Sequence, residues 1–236
     1  MYGYGYGFYG FDWTYMLLII GMLLSLAASA KLKSTFAKYR MVRSASGLTG
    51  AEAAARILRA AGITDVQIRA IPGNLTDHYD PRTKTVSLSQ DIYGQTSLAA
   101  VGVAAHECGH AIQHATHYAP LDLRSAIVPV ANLGSTLSWP LFLIGLLAGI
   151  RPLITAGIVL FSLAVLFQLV TLPVEINASS RALRMLESTG ILGRDETGGA
   201  RKVLTAAALT YVAALAASVL QLLRLLILAG GRRRDD

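Results

Sequence analysis

Apolar and polar positions fall along this chain in blocks. Four stretches carry no charged residue: 16–30, 125–150, 152–174 and 203–223. Crossing a bilayer takes about 20 apolar residues as a helix, and each of the last three is long enough. The first reaches that length with Trp13, Thr14 and Tyr15 added, and its two aromatics suit a membrane interface. The second block is interrupted by Pro129, Asn132, Gly134 and Ser138, so a buried helix of a soluble core is its alternative reading.

Between and after these blocks the periodicity changes. A capping box at Thr49–Glu52 opens an Ala-rich helix that stops at Gly62. Residues 66–71 and 83–89 alternate as strands do, around turns at Pro72-Gly73 and Asp80-Pro81-Arg82. Ser97 is placed to cap an Ala- and Val-rich helix over 97–116. A further helix is predicted over 176–189, ending at Gly190, followed by a polar loop over 191–202. The expected fold is mainly α: an integral membrane protein with about four transmembrane helices and a small α+β domain. It divides into an N-terminal segment and first span (1–30), a polar domain (31–124), a two-span hairpin (125–174), a helix and loop (175–202), and a fourth span with a basic tail (203–236).

Composition agrees with a membrane location. Of 236 residues, 53% are hydrophobic and 15% charged, too apolar for an ordinary soluble domain. The net charge of +7 needs no nucleic-acid partner, because basic residues collect in cytoplasmic loops and no basic-aromatic pattern is present. Lys31, Lys33, Lys38, Arg40 and Arg43 follow the first block with no acidic residue among them. The segment from Lys31 is therefore expected in the cytoplasm and the N-terminus outside. Counting spans puts the C-terminus outside, while Arg224 and Arg232-Arg233-Arg234 favour the inside; parity is preferred. The Tyr-Gly alternation of residues 1–12 can bury little, and the first span reads as a retained anchor.

The candidate chemistry lies in the helix over 97–116. His106-Glu107-Cys108-Gly109-His110 reads H-E-x-x-H. One turn separates the histidines, so both imidazoles share a face and can hold one zinc ion. Zinc lowers the pKa of a water it binds from about 16 towards about 7, and Glu107 stands beside the histidines to take the proton. The alternative is a chance match with two structural histidines; the Ser97 cap and the Pro-free run to Thr116 argue against it. Cys108, the sole cysteine, points away from His106 and reads as core.

A catalytic zinc usually takes three protein ligands. Gln113 and Thr116 stand where H-E-x-x-H-x-x-G-x-x-H would need Gly and His. His114 and His117 follow on the same helix, which cannot wrap successive turns around one tetrahedral ion. The downstream carboxylates are Asp122, Glu175, Glu187, Asp195 and Glu196. Glu175 is expected to open a helix whose same face carries Ala178, Ser179 and Ala182, small enough for close approach to Gly109. Its alternative role is to cap that helix. His78, Tyr79 and Arg181 are candidates for binding the oxyanion or substrate. The strand over 83–89 offers an edge for an extended peptide, or is a structural strand.

Several strings carry a resemblance. Lys33-Ser34-Thr35-Phe36, Gly47-Leu48-Thr49-Gly50, Leu75-Thr76-Asp77-His78-Tyr79-Asp80-Pro81-Arg82, the run 103–113 around the H-E-x-x-H, and Leu172-Pro173-Val174-Glu175 resemble the YugP-like family of membrane zinc metallopeptidases. That family is similar to the HtpX-type membrane proteases. The resemblance implies a zincin-like (gluzincin) catalytic domain facing the cytoplasm, one Zn2+, and Glu175 as third ligand beside His106 and His110. It implies hydrolysis of membrane or misfolded proteins with Glu107 as general base. HtpX-type proteins read E-x-x-A-D where this chain has Glu175-Ile176-Asn177-Ala178-Ser179, so another group must support the ligand histidine. Asn177, Ser179 or a backbone carbonyl can serve. The expected partners are a protein or peptide substrate and the lipid bilayer, with membrane partner proteins or an oligomer left open. The main rival is a non-catalytic zinc-binding membrane scaffold or adaptor; a transporter is a weaker one, because no charge lies within the four blocks.

Overall fold

A computed structural model describes residues 12–231. The Tyr-Gly alternation and the arginines at 232–234 lie outside the described residues, apart from Asp12. Helix α1 (Tyr15–Tyr39) leads to α2 (Gly50–Ala60), strands β1 (Gln67–Ile71), β2 (His78–Asp80) and β3 (Thr85–Ser89), and the short α3 (Gln90–Tyr93). Helices α4 (Leu98–Ala115), α5 (Ala119–Ala148), α6 (Arg151–Ser188) and α7 (Arg194–Gly231) complete the chain. The mainly α architecture with a small α+β part is as expected. Among the described residues four helices, α1, α5, α6 and α7, are long and apolar enough to cross a membrane. They leave large side chains uncovered, among them Leu26, Leu133, Leu166 and Leu147, the last 86% exposed. A lipid phase covers such residues at no cost; water does not.

The polar domain folds where the sequence punctuates it. Thr49 and Glu52 close the capping box of α2, and Ser97 Oγ accepts from Ala100 N–H at the start of α4. The sheet order is β1-β3-β2, with β1 parallel and β2 antiparallel to β3. Val86 and Leu88 of β3 are fully buried in a core shared with Ile57 of α2, Ile92 of α3, and Ala104 and Cys108 of α4. Burial pushes the Cys108 thiol's pKa well up, so it stays protonated and inert there.

Two helix pairs carry the membrane part. Helices α5 and α6 form a hairpin that turns at Gly149, which adopts the left-handed conformation glycine tolerates. Added Cβ atoms at Gly134 and Gly157 would lie 2.7 Å from Leu160 O and 2.8 Å from Ser138 O, so only glycine permits this approach. Helices α1 and α7 run antiparallel: Gly21 packs on Ala217 in mid-span, and Gly199 packs on Tyr39 at the end near the polar domain. At the other end Arg224 is buried, its guanidinium 4.4 Å from the Tyr15 ring centroid.

Three sequence-based expectations are corrected. The loop over 191–202 is mostly helix, because α7 begins at Arg194. Asp195 and Glu196 lie in its first turn, and Glu196 accepts hydrogen bonds from Gly193 N–H and Ala45 N–H. The chain does not restart after Pro173: α6 is continuous through it, so Glu175 stands in mid-helix and caps nothing. The strand over 83–89 has no free edge, since β1 and β2 flank it; the edges belong to β1 and to the shorter β2. Helices α1, α6 and α7 thus run unbroken from their apolar blocks into the polar domain and hold part of it rigidly to the membrane.

Candidate metal centre

The site forms where α4 crosses α6. Gly109 of α4 lies against Ala178 of α6; a Cβ at 109 would sit 2.4 Å from Ala178 O. That contact brings two successive turns of one helix against two of the other. His106 and His110 present their rings edge to face, 4.8 Å between centroids. Glu175 Oε2 lies 3.3 Å from His106 Nε2 and 3.5 Å from His110 Nε2. The three side chains place one ligand atom each within 4.8 Å of the others, an arrangement that could hold a metal ion. Asp122 does not join them; it is exposed in the first turn of α5.

The remaining atoms of the imidazoles are fixed from behind. Gln113 Nε2 donates to Val174 O at 2.8 Å and to Asn177 Oδ1 at 3.0 Å. A carbonyl oxygen only accepts, so the amide's orientation is set, and its Oε1 faces His110 Nδ1 at 2.9 Å. His110 must therefore carry its proton on Nδ1 and turn a lone pair outward from Nε2. His106 Nδ1 lies 3.1 Å from Ser179 Oγ. The partner the sequence left open is thus Ser179 for His106 and Gln113 for His110, and Asn177 acts one step further back.

Glu175 is 3% exposed, and its Oε2 has no hydrogen-bond partner. A buried anionic oxygen facing the His110 lone pair and a second imidazole nitrogen is unfavourable unless a proton or a metal cation sits between them. Burial lowers the His110 pKa, but Glu175 and Glu107 outweigh it and the net shift is upward. The site favours positive charge. One carboxylate and two imidazoles are also a donor set suited to zinc.

The comparison with known proteins decides the family. Residues 14–230 match the family model described as "Putative neutral zinc metallopeptidase". The chain is 50% identical over 217 residues to the "Putative membrane protease YugP" of Bacillus subtilis (strain 168), covering 92% of this chain and 96% of that one. The chain belongs to the neutral zinc metallopeptidase family. No solved structure matches it. With its four apolar helices, this family member is a multi-pass membrane protein, and zinc is its cofactor. The donor set fits that ion without rearrangement of secondary structure.

The rest of this metallopeptidase's site has parts that the sequence suggested and parts that it did not. Glu107 is buried and lines two adjoining cavities of about 150 and 170 Å³ together with His106, Glu175, Asp77 and Tyr211. His78 is exposed at the rim of the smaller one. Tyr79 also lines it, but its hydroxyl is hydrogen-bonded to His114 Nδ1 at 2.8 Å. Burial pushes that phenol's pKa up to about 12, so it stays protonated at neutral pH. Arg181 is not at the cavity: its Nε donates to Asn177 Oδ1 and its guanidinium lies over the Tyr118 ring. The arginine that reaches the site is Arg124 of α5, 3.8 Å from Glu175 Oε1, with its Nε buried and unpartnered. Asp77, whose pKa burial raises, accepts from Ser89 N–H and Oγ–H and ties the start of β2 to the end of β3. No sequence spacing signals Arg124 or Tyr211, which lie on different helices from the motif.

Proposed function

We propose that this protein is a membrane-bound endopeptidase that cleaves membrane or misfolded proteins at the cytoplasmic face, with Glu107 as general base. His106, His110 and Glu175 would hold the zinc ion. When bound, zinc supplies a Lewis acid that makes water nucleophilic at neutral pH and polarises the scissile carbonyl. Glu107 accepts the proton of the attacking water and delivers it to the amine that leaves as the C–N bond breaks. Arg124, whose Nη1 lies 3.8 Å from Glu175 Oε1, and Tyr211 line the same cavity and would supply donors for the developing oxyanion. His78 and Tyr79 contribute from β2 as backbone: the free edge of that strand runs beside the cavity and can pair with an extended peptide of any sequence.

The observation that carries this reading is the position of a buried Glu107 in the same cavity as the three donors, since zinc binding alone does not require that residue. The source of the cavity wall supports the substrate class. Leu32 and Phe36 of α1 and Val203, Leu204 and Ala207 of α7 make it apolar, and all five belong to helices that continue into the membrane. An apolar side chain drawn from the bilayer edge fits there. The test is Glu107→Gln, purified and assayed on casein. Zinc content should match the wild type while hydrolysis falls by about 10²–10⁴-fold or more. Near wild-type turnover would overturn the mechanism, and loss of zinc would point to a structural role for Glu107.

A further inference from the structure

We infer that the groove between α1 and α7, on the flank of the helix pair away from the metal centre, binds the phosphate headgroup of an anionic phospholipid. The groove encloses about 610 Å³, enough for a headgroup and its glycerol. Lys31, Lys38, Arg201 and Lys202 line it, and no carboxylate does. Among the described residues Lys31, Lys38 and Lys202 form no ion pair, and Arg201 reaches only Glu187, at 4.0 Å. Four like charges around one space repel each other unless an anion enters it.

The level of the groove selects a lipid. Lys31 is the first charge beyond the apolar block of α1, and Lys202 is the last charge before the apolar block of α7. The helices are antiparallel, so both boundaries fall in this groove, at the height where the hydrocarbon ends and headgroups begin. Thr35 and Thr205 add hydroxyls to the wall, and Ala206 and Leu209 close its membrane end with apolar surface. A phosphodiester among the cations would lead its acyl chains past Leu209 into the bilayer. An acidic peptide would leave that surface uncovered. Basic pockets between spanning helices bind lipid phosphates in the same way. This inference is independent of the proposed catalysis, because no residue of the groove belongs to the metal centre.

The test is native mass spectrometry of the full-length, zinc-loaded protein in dodecyl maltoside, titrated with phosphatidylglycerol, phosphatidylcholine or inorganic phosphate. Phosphatidylglycerol should be retained at least tenfold more tightly than phosphatidylcholine. A lysine near a membrane surface contributes roughly a factor of five. The triple variant Lys31→Gln/Lys38→Gln/Lys202→Gln should therefore weaken phosphatidylglycerol retention about 100-fold. Lys33→Gln/Arg184→Gln/Arg194→Gln removes as much charge outside the groove and should leave retention unchanged. If the groove triple does not fold, Lys202→Gln alone should give about a fivefold loss. Equal losses in both triples would reduce the effect to net charge and overturn the site. Binding of inorganic phosphate as tight as that of the lipid would assign the groove to a soluble anion and overturn the lipid.

Discussion

Gly109→Ala probes the contact on which the metal centre depends. The new Cβ would sit 2.4 Å from Ala178 O and 3.0 Å from its carbon, about 1 Å short of ordinary van der Waals contact. Both partners are helix backbone, so neither can turn aside, and α4 and α6 must separate. His110 adjoins Gly109, and Ser179 adjoins Ala178, with Glu175 one turn earlier on α6. A shift of about 1 Å lengthens the 3.3 and 3.5 Å gaps between Glu175 and the histidines and strains the bond to Ser179. Zinc–ligand distances tolerate about 0.2 Å. Overpacking costs about 1–3 kcal/mol, and if the zinc-bound state bears it, affinity falls roughly 10–100-fold. Gly102→Ala is the matched control on the same helix. Its Cβ would meet Ala200 Cβ at 3.3 Å, a gap that a few tenths of an ångström relieves. There the gain in helix propensity, up to about 1 kcal/mol, should dominate and raise Tm. Zinc retained against a graded chelator, together with melting in detergent, measures both variants. Wild-type zinc affinity in Gly109→Ala would refute the claim that this backbone contact sets the ligand geometry.

Glu175→Gln should lose zinc at a chelator concentration that the wild type survives, and Asp122→Asn should not; the reverse result would move the third ligand to α5. Arg124→Gln should keep its zinc and its KM while kcat falls about 10²–10³-fold, as loss of one oxyanion donor does; an unchanged kcat would remove Arg124 from the chemistry. In a Cys108→Ala background, cysteines at the exposed Ser46 and Ser188 should resist an impermeant thiol reagent added to intact cells. Labelling of either from outside would reverse the proposed topology.

Local signals account for much of the fold. Charge-free length marked four spans, because a bilayer selects for length and lack of charge rather than for partners. Thr49, Glu52 and Ser97 set helix starts through bonds to residues three positions away, so those boundaries are legible in sequence. The H-E-x-x-H spacing placed two imidazoles on one face for the same reason, since helix geometry alone dictates it. What distant packing decides was misread or missed. The span over 152–174 and the helix opened by Glu175 read as separate elements, but α6 runs unbroken through both, packed against α4, α5 and α7. The central place of β3 depends on pairing with β1 and β2, which alternation along one strand does not encode. Glu175 was within reach of sequence reasoning because Gly109 and Ala178 are small and a hairpin returns the chain to where it left. Gln113 follows His110 by one helical turn on α4, so its contact with that ring is local as well; Arg124 and Tyr211 were out of reach, because each meets the site from a helix whose direction is set only when α4, α5, α6 and α7 pack. The sequence by itself determined which residues could bind a metal and which segments could span. The tertiary structure decided which carboxylate meets the histidines, because that choice rests on two helix backbones touching at Gly109 and Ala178.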